Sequence, residues 1–249
     1  MNAVRLSARG TDEREISIAT NKVRLDGSLA IPPNAFSIVL FAHGSGSSRH
    51  SGRNRFVAQE LQSRGIATLL FDLLTQQEEQ VDRVTAQHRF DIRLLADRLI
   101  TATQWTMLRP ELASLNIGYF GASTGAAAAL VAAAEHPDKI AAVVSRGGRP
   151  DLAGEALRNV QAPTLLIVGG DDEPVIGMNR EALARLRCPA KQLTIVPGAT
   201  HLFEEPGALE EVAELAADWF THHLSVAKNN PADSTAHSSE SRYEIVHPK

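Results

Sequence analysis

Leu115-Asn116-Ile117-Gly118-Tyr119-Phe120 leads into Gly121-Ala122-Ser123-Thr124-Gly125 and then into an alanine-rich run that passes Leu130 and Val131 to reach Ala134. A short apolar segment with two aromatics is strand-like, and the small-residue run after it is helix-like, so the polar pentapeptide sits at a strand-to-helix turn. A G-x-S-x-G nucleophile elbow needs that context. Its serine takes a strained backbone position that lifts the hydroxyl out at the carboxyl end of a sheet, and its glycines leave room for a tight turn. Ser123 is the candidate nucleophile. Backbone N–H groups at the start of the following helix would face negative charge developing beside it. Five residues alone also match as an ordinary glycine- and serine-containing turn, so the rest of the chain has to decide.

An earlier strand in the same reading is Ser37-Ile38-Val39-Leu40-Phe41-Ala42, apolar enough to be covered on both faces. It runs into His43-Gly44-Ser45-Gly46-Ser47-Ser48. An oxyanion hole on this architecture takes one N–H from the residue after the nucleophile and one from the loop after an earlier strand, here Thr124 and Ser45. The loop does not fit G-x-x-x-x-G-K-[ST], no lysine follows, and G-x-G-x-x-G is not met, so a nucleotide-phosphate cradle ranks below the oxyanion role. Arg49, His50, Arg53 and Arg55 follow at the start of a helical pattern through Phe56 and Leu61. They suit either a substrate carboxylate or phosphate at the site mouth or a solvated, salt-bridged surface.

Further on, 66–70 and 140–144 are buried strands, and 163–168 is another, ending in Gly169-Gly170-Asp171-Asp172-Glu173-Pro174-Val175. The last strand, 192–196, is followed by Pro197-Gly198-Ala199-Thr200-His201-Leu202-Phe203. Ser123, Asp172 and His201 thus follow strand-like runs in the order Ser, Asp, His. That is the order of the α/β-hydrolases and not of chymotrypsin or subtilisin. His201 is the one of nine histidines that comes directly after a strand and downstream of a strand-end aspartate. Asp172 competes with Asp171, Glu173 and Asp151 for the acid. Its place in Gly169-x-x-Asp172-x-x-Val175 directs it towards the histidine, whereas Asp171 suits a turn residue bonded to its own backbone. Arg146 and Arg149 follow the strand after the elbow helix and are further possible contacts for an anionic substrate. The connection there, 145–151, is short, which predicts little or no lid.

Elsewhere, 16–19 and 23–31 alternate with period 2 about Asn21-Lys22 and read as antiparallel edge strands, closed by Pro32-Pro33. Residues 75–87 show no core-facing stripe and are expected to be a loop or mobile excursion. Ile92, Leu95, Leu99 and Ala102 form the apolar face of a long helix, and Leu209, Val212, Ala216 and Trp219 that of a closing helix. The expected organisation is an α/β-hydrolase domain over 1–227, with a mostly parallel sheet and helices on both faces, and a disordered tail over 228–249.

With 249 residues, 43% of them hydrophobic, the chain can bury a sizeable single core. A net charge of -4 argues against nucleic acid or an anionic membrane as partner. No apolar run suits a bilayer span or a signal peptide, and one cysteine, Cys188, allows no intrachain disulfide or thiolate metal cluster. A cytoplasmic protein acting on a small molecule, with no cofactor and no metal, is the expectation.

On His43-Gly44-Ser45-Gly46-Ser47-Ser48-Arg49-His50, Gly121-Ala122-Ser123-Thr124-Gly125, the 169–175 loop and Gly198-Ala199-Thr200-His201-Leu202-Phe203, the chain resembles the dienelactone-hydrolase-like branch of the α/β-hydrolases. The resemblance spans roughly 24–224 and extends especially to compact hydrolases that in some chains are fused to phosphoribosyltransferase domains. No recognisable segment of that second kind is present. Ser123 stands where true dienelactone hydrolases carry a cysteine. The resemblance implies ester or thioester cleavage through an acyl-enzyme. A non-catalytic binding protein on the same fold and an acyltransferase are the alternatives.

Overall fold

The computed structural model describes residues 10–20 and 23–226, and the expected tail lies outside them. Eight strands form one sheet: β1 (Asp12–Ala19), β2 (Arg24–Ile31), β3 (Ser37–Ala42), β4 (Ile66–Phe71), β5 (Asn116–Ala122), β6 (Ile140–Arg146), β7 (Thr164–Gly169) and β8 (Lys191–Val196). Their order is β1-β2-β4-β3-β5-β6-β7-β8. β1 pairs antiparallel with β2, and β2 with β4; every other pairing is parallel. This is the mostly parallel α/β sheet read from the sequence, with the two antiparallel strands at one edge.

Among the described residues six α-helices surround it: α1 (Gly52–Ser63), α2 (Gln76–Thr85), α3 (Ile92–Met107), α4 (Thr124–Glu135), α5 (Glu173–Arg185) and α6 (Ala208–Val226), with a 3₁₀ segment at Pro150–Asn159. All six residues of β3, of β4 and of β7 are buried, because helices cover both faces of the sheet centre. One core joins Leu40, Tyr119 and Val143 to α3, α4 and α5. The other joins Val39, Phe120 and Val144 to Val57 and Leu61 of α1 and to Val212, Ala216 and Phe220 of α6. Alternating side chains of each strand therefore feed opposite cores. Small alanines let α4 lie close against the sheet: Ala126 to Leu130, Ala132 and Ala133 are all buried.

Residues 76–85 are helical, which corrects the loop expected there. The helix is polar and is set by its ends. Thr75 accepts from the Glu78 N–H while the Glu78 carboxylate accepts from the Thr75 N–H, a capping box that satisfies two helix-end donors. Buried Asp82 then accepts from the N–H groups of His88 and Arg89 and from the Arg89 side chain, and Glu78 accepts from Arg98 of α3. Between β6 and β7 the chain adds only the 3₁₀ segment, bent at Gly154. No helix among the described residues is long and apolar enough to cross a membrane.

Candidate active site

Ser123 and Asp172 stand in the same local position. Each is the N-cap of a helix, α4 and α5, and neither side chain makes a capping hydrogen bond. Serine and aspartate are strong N-cap formers, and a cap forgone costs about 1 kcal/mol. Both polar groups are thus withheld from their helices and left for something else.

For Asp172 the other partner is visible. Its Oδ2 lies 2.7 Å from Nδ1 of His201, which fixes the imidazole with Nε2 as its free nitrogen. The loops carrying them are stitched together, since Gly170 N–H donates to Val196 O and Asp171 N–H to Ala199 O. Asp171 is exposed, whereas Asp172 is half-buried, and Asp151 is taken by Arg149 in a two-pronged pair.

Ser123 has φ 49° and ψ -120°, outside the regions an L-residue adopts without strain, at a cost of about 1–3 kcal/mol. The turn that holds it there tolerates no Cβ at its glycines. One at Gly121 would lie 2.4 Å from Ala126 Cα, and one at Gly125 would lie 2.1 Å from the Ala42 carbonyl oxygen. Ser123 N–H donates to Arg146 O. Gly147 follows that residue and packs on His201, where a Cβ would stand 3.6 Å from His201 Cε1. Nucleophile and base candidates thus flank the 146–147 backbone. No hydrogen bond joins Ser123 Oγ to His201 among the described residues.

The oxyanion-side loop closes the arrangement. A Cβ at Gly44 would lie 3.0 Å from Ser123 Cβ, and Ser45 Oγ is 3.0 Å from Thr124 Oγ1, so the two proposed donors are neighbours. Buried His43 holds the loop: its Nδ1 is 2.9 Å from Gly44 O, and its Nε2 accepts from Leu73 N–H. Those partners require the neutral ring with Nδ1 protonated. Burial lowers the His43 pKa, against the opposing pull of the Gly44 carbonyl.

The two arginines offered as substrate contacts part company. Arg49 is consumed: its N–H and its guanidinium both bond Asp72, and Glu15 and Asp26 lie beside it. It fastens the loop to the end of β4. Arg146 points to the α1 and α6 side, buried beside Asn54 and Phe203. Asn54, on the first turn of α1, and Asn179, which donates to Gly148 O and Val175 O, had no sequence motif to mark them.

The dienelactone hydrolase family matches over residues 25–229. The chain belongs to that family. It is 60% identical to the crystal structure of a dienelactone hydrolase from Anabaena variabilis, with a TM-score of 0.84, covering 86% of this chain and 99% of that one. Est1E from Butyrivibrio proteoclasticus shares the fold at 16% identity and a TM-score of 0.71, covering 85% of this chain and 99% of that one. Two Mycobacterium tuberculosis proteins, provisionally named phosphoribosyl transferases, are 58% identical over 213 residues, which are 85% of this chain and 47% of theirs. The chain thus spans about half the length of the curated relatives it matches. Membership of this family, together with the hydrolase fold, supports hydrolase activity.

Proposed function

We propose that the chain is a serine hydrolase that cleaves an ester or thioester bond of a small substrate through an acyl-enzyme. The observation that carries this reading is the pair of uncapped helix N-caps, Ser123 under backbone strain and Asp172 bonded to His201 instead of to α5. In the first step Ser123 Oγ attacks the acyl carbon and its proton passes to His201 Nε2. Asp172 stabilises the imidazolium and keeps Nδ1 protonated. The carbonyl oxygen, now an oxyanion, lies against the N–H groups of Ser45 and Thr124 at the start of α4. Collapse expels the alcohol or thiol, which takes the proton back from His201. Water then repeats the sequence on the acyl-Ser123 ester and restores the hydroxyl.

A fluorophosphonate should label the protein at Ser123, and Ser123→Ala should abolish both labelling and turnover of chromogenic esters without changing Tm by more than a few degrees. Mass spectrometry that finds the label on Ser45, or undiminished labelling of the variant, overturns the reading.

A further inference from the structure

Residues 146–149 touch both Ser123 and His201. Arg146 O accepts from Ser123 N–H and Arg149 N–H donates to Ser123 O, so both backbone groups of the strained residue are tied to this strap. Between those ties Gly147 has φ 50° and lies against the histidine: a Cβ on it would stand 3.1 Å from His201 O and 3.6 Å from His201 Cε1. Gly147 N–H donates to Ile167 O of β7. Gly148 is wedged against α4, where a Cβ would lie 2.0 Å from Ser145 Oγ and 2.7 Å from Ala126 Cβ. Backbone outside its preferred regions persists only while its neighbours over-determine it, so Ser123 is held no more firmly than the strap is.

The remaining anchor of the strap is a side chain. Asn179 of α5 is fully buried, and its Nδ2 donates to Gly148 O at 3.0 Å and to Val175 O at 2.8 Å. Two carbonyls facing one nitrogen fix the orientation of the amide. Oδ1 is left buried with no partner among the described residues, an arrangement that costs stability. The bond to Val175 O does not account for that cost, because a threonine or serine hydroxyl makes the same bond one turn back in a helix with a single oxygen. What the amide alone supplies is the second hydrogen, the one given to Gly148 O. The same helix carries Asp172 at its N-cap, two turns before Asn179. Thus α5 meets His201 through its cap and the strap of Ser123 through its second turn.

We propose that Asn179 is a positioning residue: by holding Gly148 O from α5, it sets the 146–149 strap, and with it the Ser123 backbone, at a fixed place relative to the Asp172–His201 pair. Its part in turnover rests on the hydrolase reading; its hold on the strap does not.

Asn179→Thr separates the two, since threonine can keep the bond to Val175 O and loses the one to Gly148 O. Hydrogen–deuterium exchange on the ligand-free variant should show the Ser123 and Arg149 amides exchanging about tenfold faster, with those of α6 unchanged. On a chromogenic ester kcat should fall about tenfold or more with KM changed less than about twofold, as expected when a reacting group is misplaced and binding is not. The pH at which kcat/KM reaches half its plateau should stay where it is in the wild type, because the Asp172–His201 contact is untouched. Leu61→Val, in the fully buried core on the other face of the sheet, controls for stability alone: it should lower Tm and leave kcat and both amides unchanged. Unchanged exchange at Ser123 and Arg149, or a kcat no lower than in the Leu61→Val control, overturns the inference. A displaced pH midpoint would put the effect on the Asp172–His201 pair and overturn it too. If Asn179→Thr does not fold, Asn179→Ser takes its place with the same readouts. A wild-type protein that hydrolyses no ester and takes no fluorophosphonate sinks the hydrolase reading; faster exchange in the variant would then still uphold the anchor, and unchanged exchange would overturn it.

Discussion

On the α2 flank of the 43–48 loop, Arg49, Arg89 and Arg98 each meet a carboxylate, Asp72, Asp82 and Glu78. On the α1 and α6 flank, Arg146 meets none and Arg53 reaches only exposed Glu204. The polar groups proposed to serve chemistry follow the second pattern: Ser123 and Asp172 decline their caps, and Asp172 turns to a histidine that is itself part-exposed. Charge satisfied inside the fold builds the scaffold; on the proposed function, a hydroxyl or carboxylate left unsatisfied by its own helix is where a substrate completes the structure.

The sharpest way to break that contrast is at the acid. Asp172→Asn should lower kcat on the order of 10⁴-fold, as the loss of the orienting carboxylate does in a serine triad, while Asp171→Asn, in an exposed side chain, should change it only a few-fold. Steady-state kinetics on a chromogenic ester decide the matter, and a reversed order would assign the loop the other register.

His43 tests the scaffold side of the loop. Its folded-state pKa lies below the ordinary 6.5, so the unfolded chain takes up the proton first as pH falls. The neutral ring contributes its stability fully above pH 6.5; the contribution declines between 6.5 and the lower folded value, with a slope of at most about 1.4 kcal/mol per pH unit. Urea unfolding at pH 7.5 and pH 5 should show the decline, and His43→Gln should lessen it. A variant that retains the full slope would assign it to other groups, such as His223, also lowered by burial and by His222.

The smallest expected effect is at Arg49. Removing it should cost about 1 kcal/mol or less of stability, since the pair it forms with Asp72 is part-exposed. Urea unfolding of Arg49→Ala checks this, and a loss of more than about 3 kcal/mol would place the pair among the buried ones.

Much of this was legible in the chain because strand periodicity and turn chemistry are local. Gly121 and Gly125 bracket Ser123 for reasons a sequence exposes, and the Ser, Asp, His order follows from which strand each residue ends. The α2 helix was missed because Gln76 to Thr85 presents no apolar stripe, although Thr75-x-x-Glu78 is a readable capping signal. The different fates of Arg49 and Arg146 were not readable, since both follow strand ends in basic company. Asp72, which engages Arg49, is 23 residues distant in sequence, and Arg146's lack of a carboxylate is a property of packing alone.

The outermost strand has a consequence of another kind. In β1 only Ile18 is buried, and Asp12, Glu13, Arg14 and Glu15 are all exposed along an edge that no other described strand pairs. A bare strand edge invites another chain to extend the sheet, and dense charge is the usual deterrent. Among the described residues electrostatics checks growth of the sheet at this rim, so acid or high salt, which mutes those charges, is the condition under which strand-to-strand aggregation would begin there.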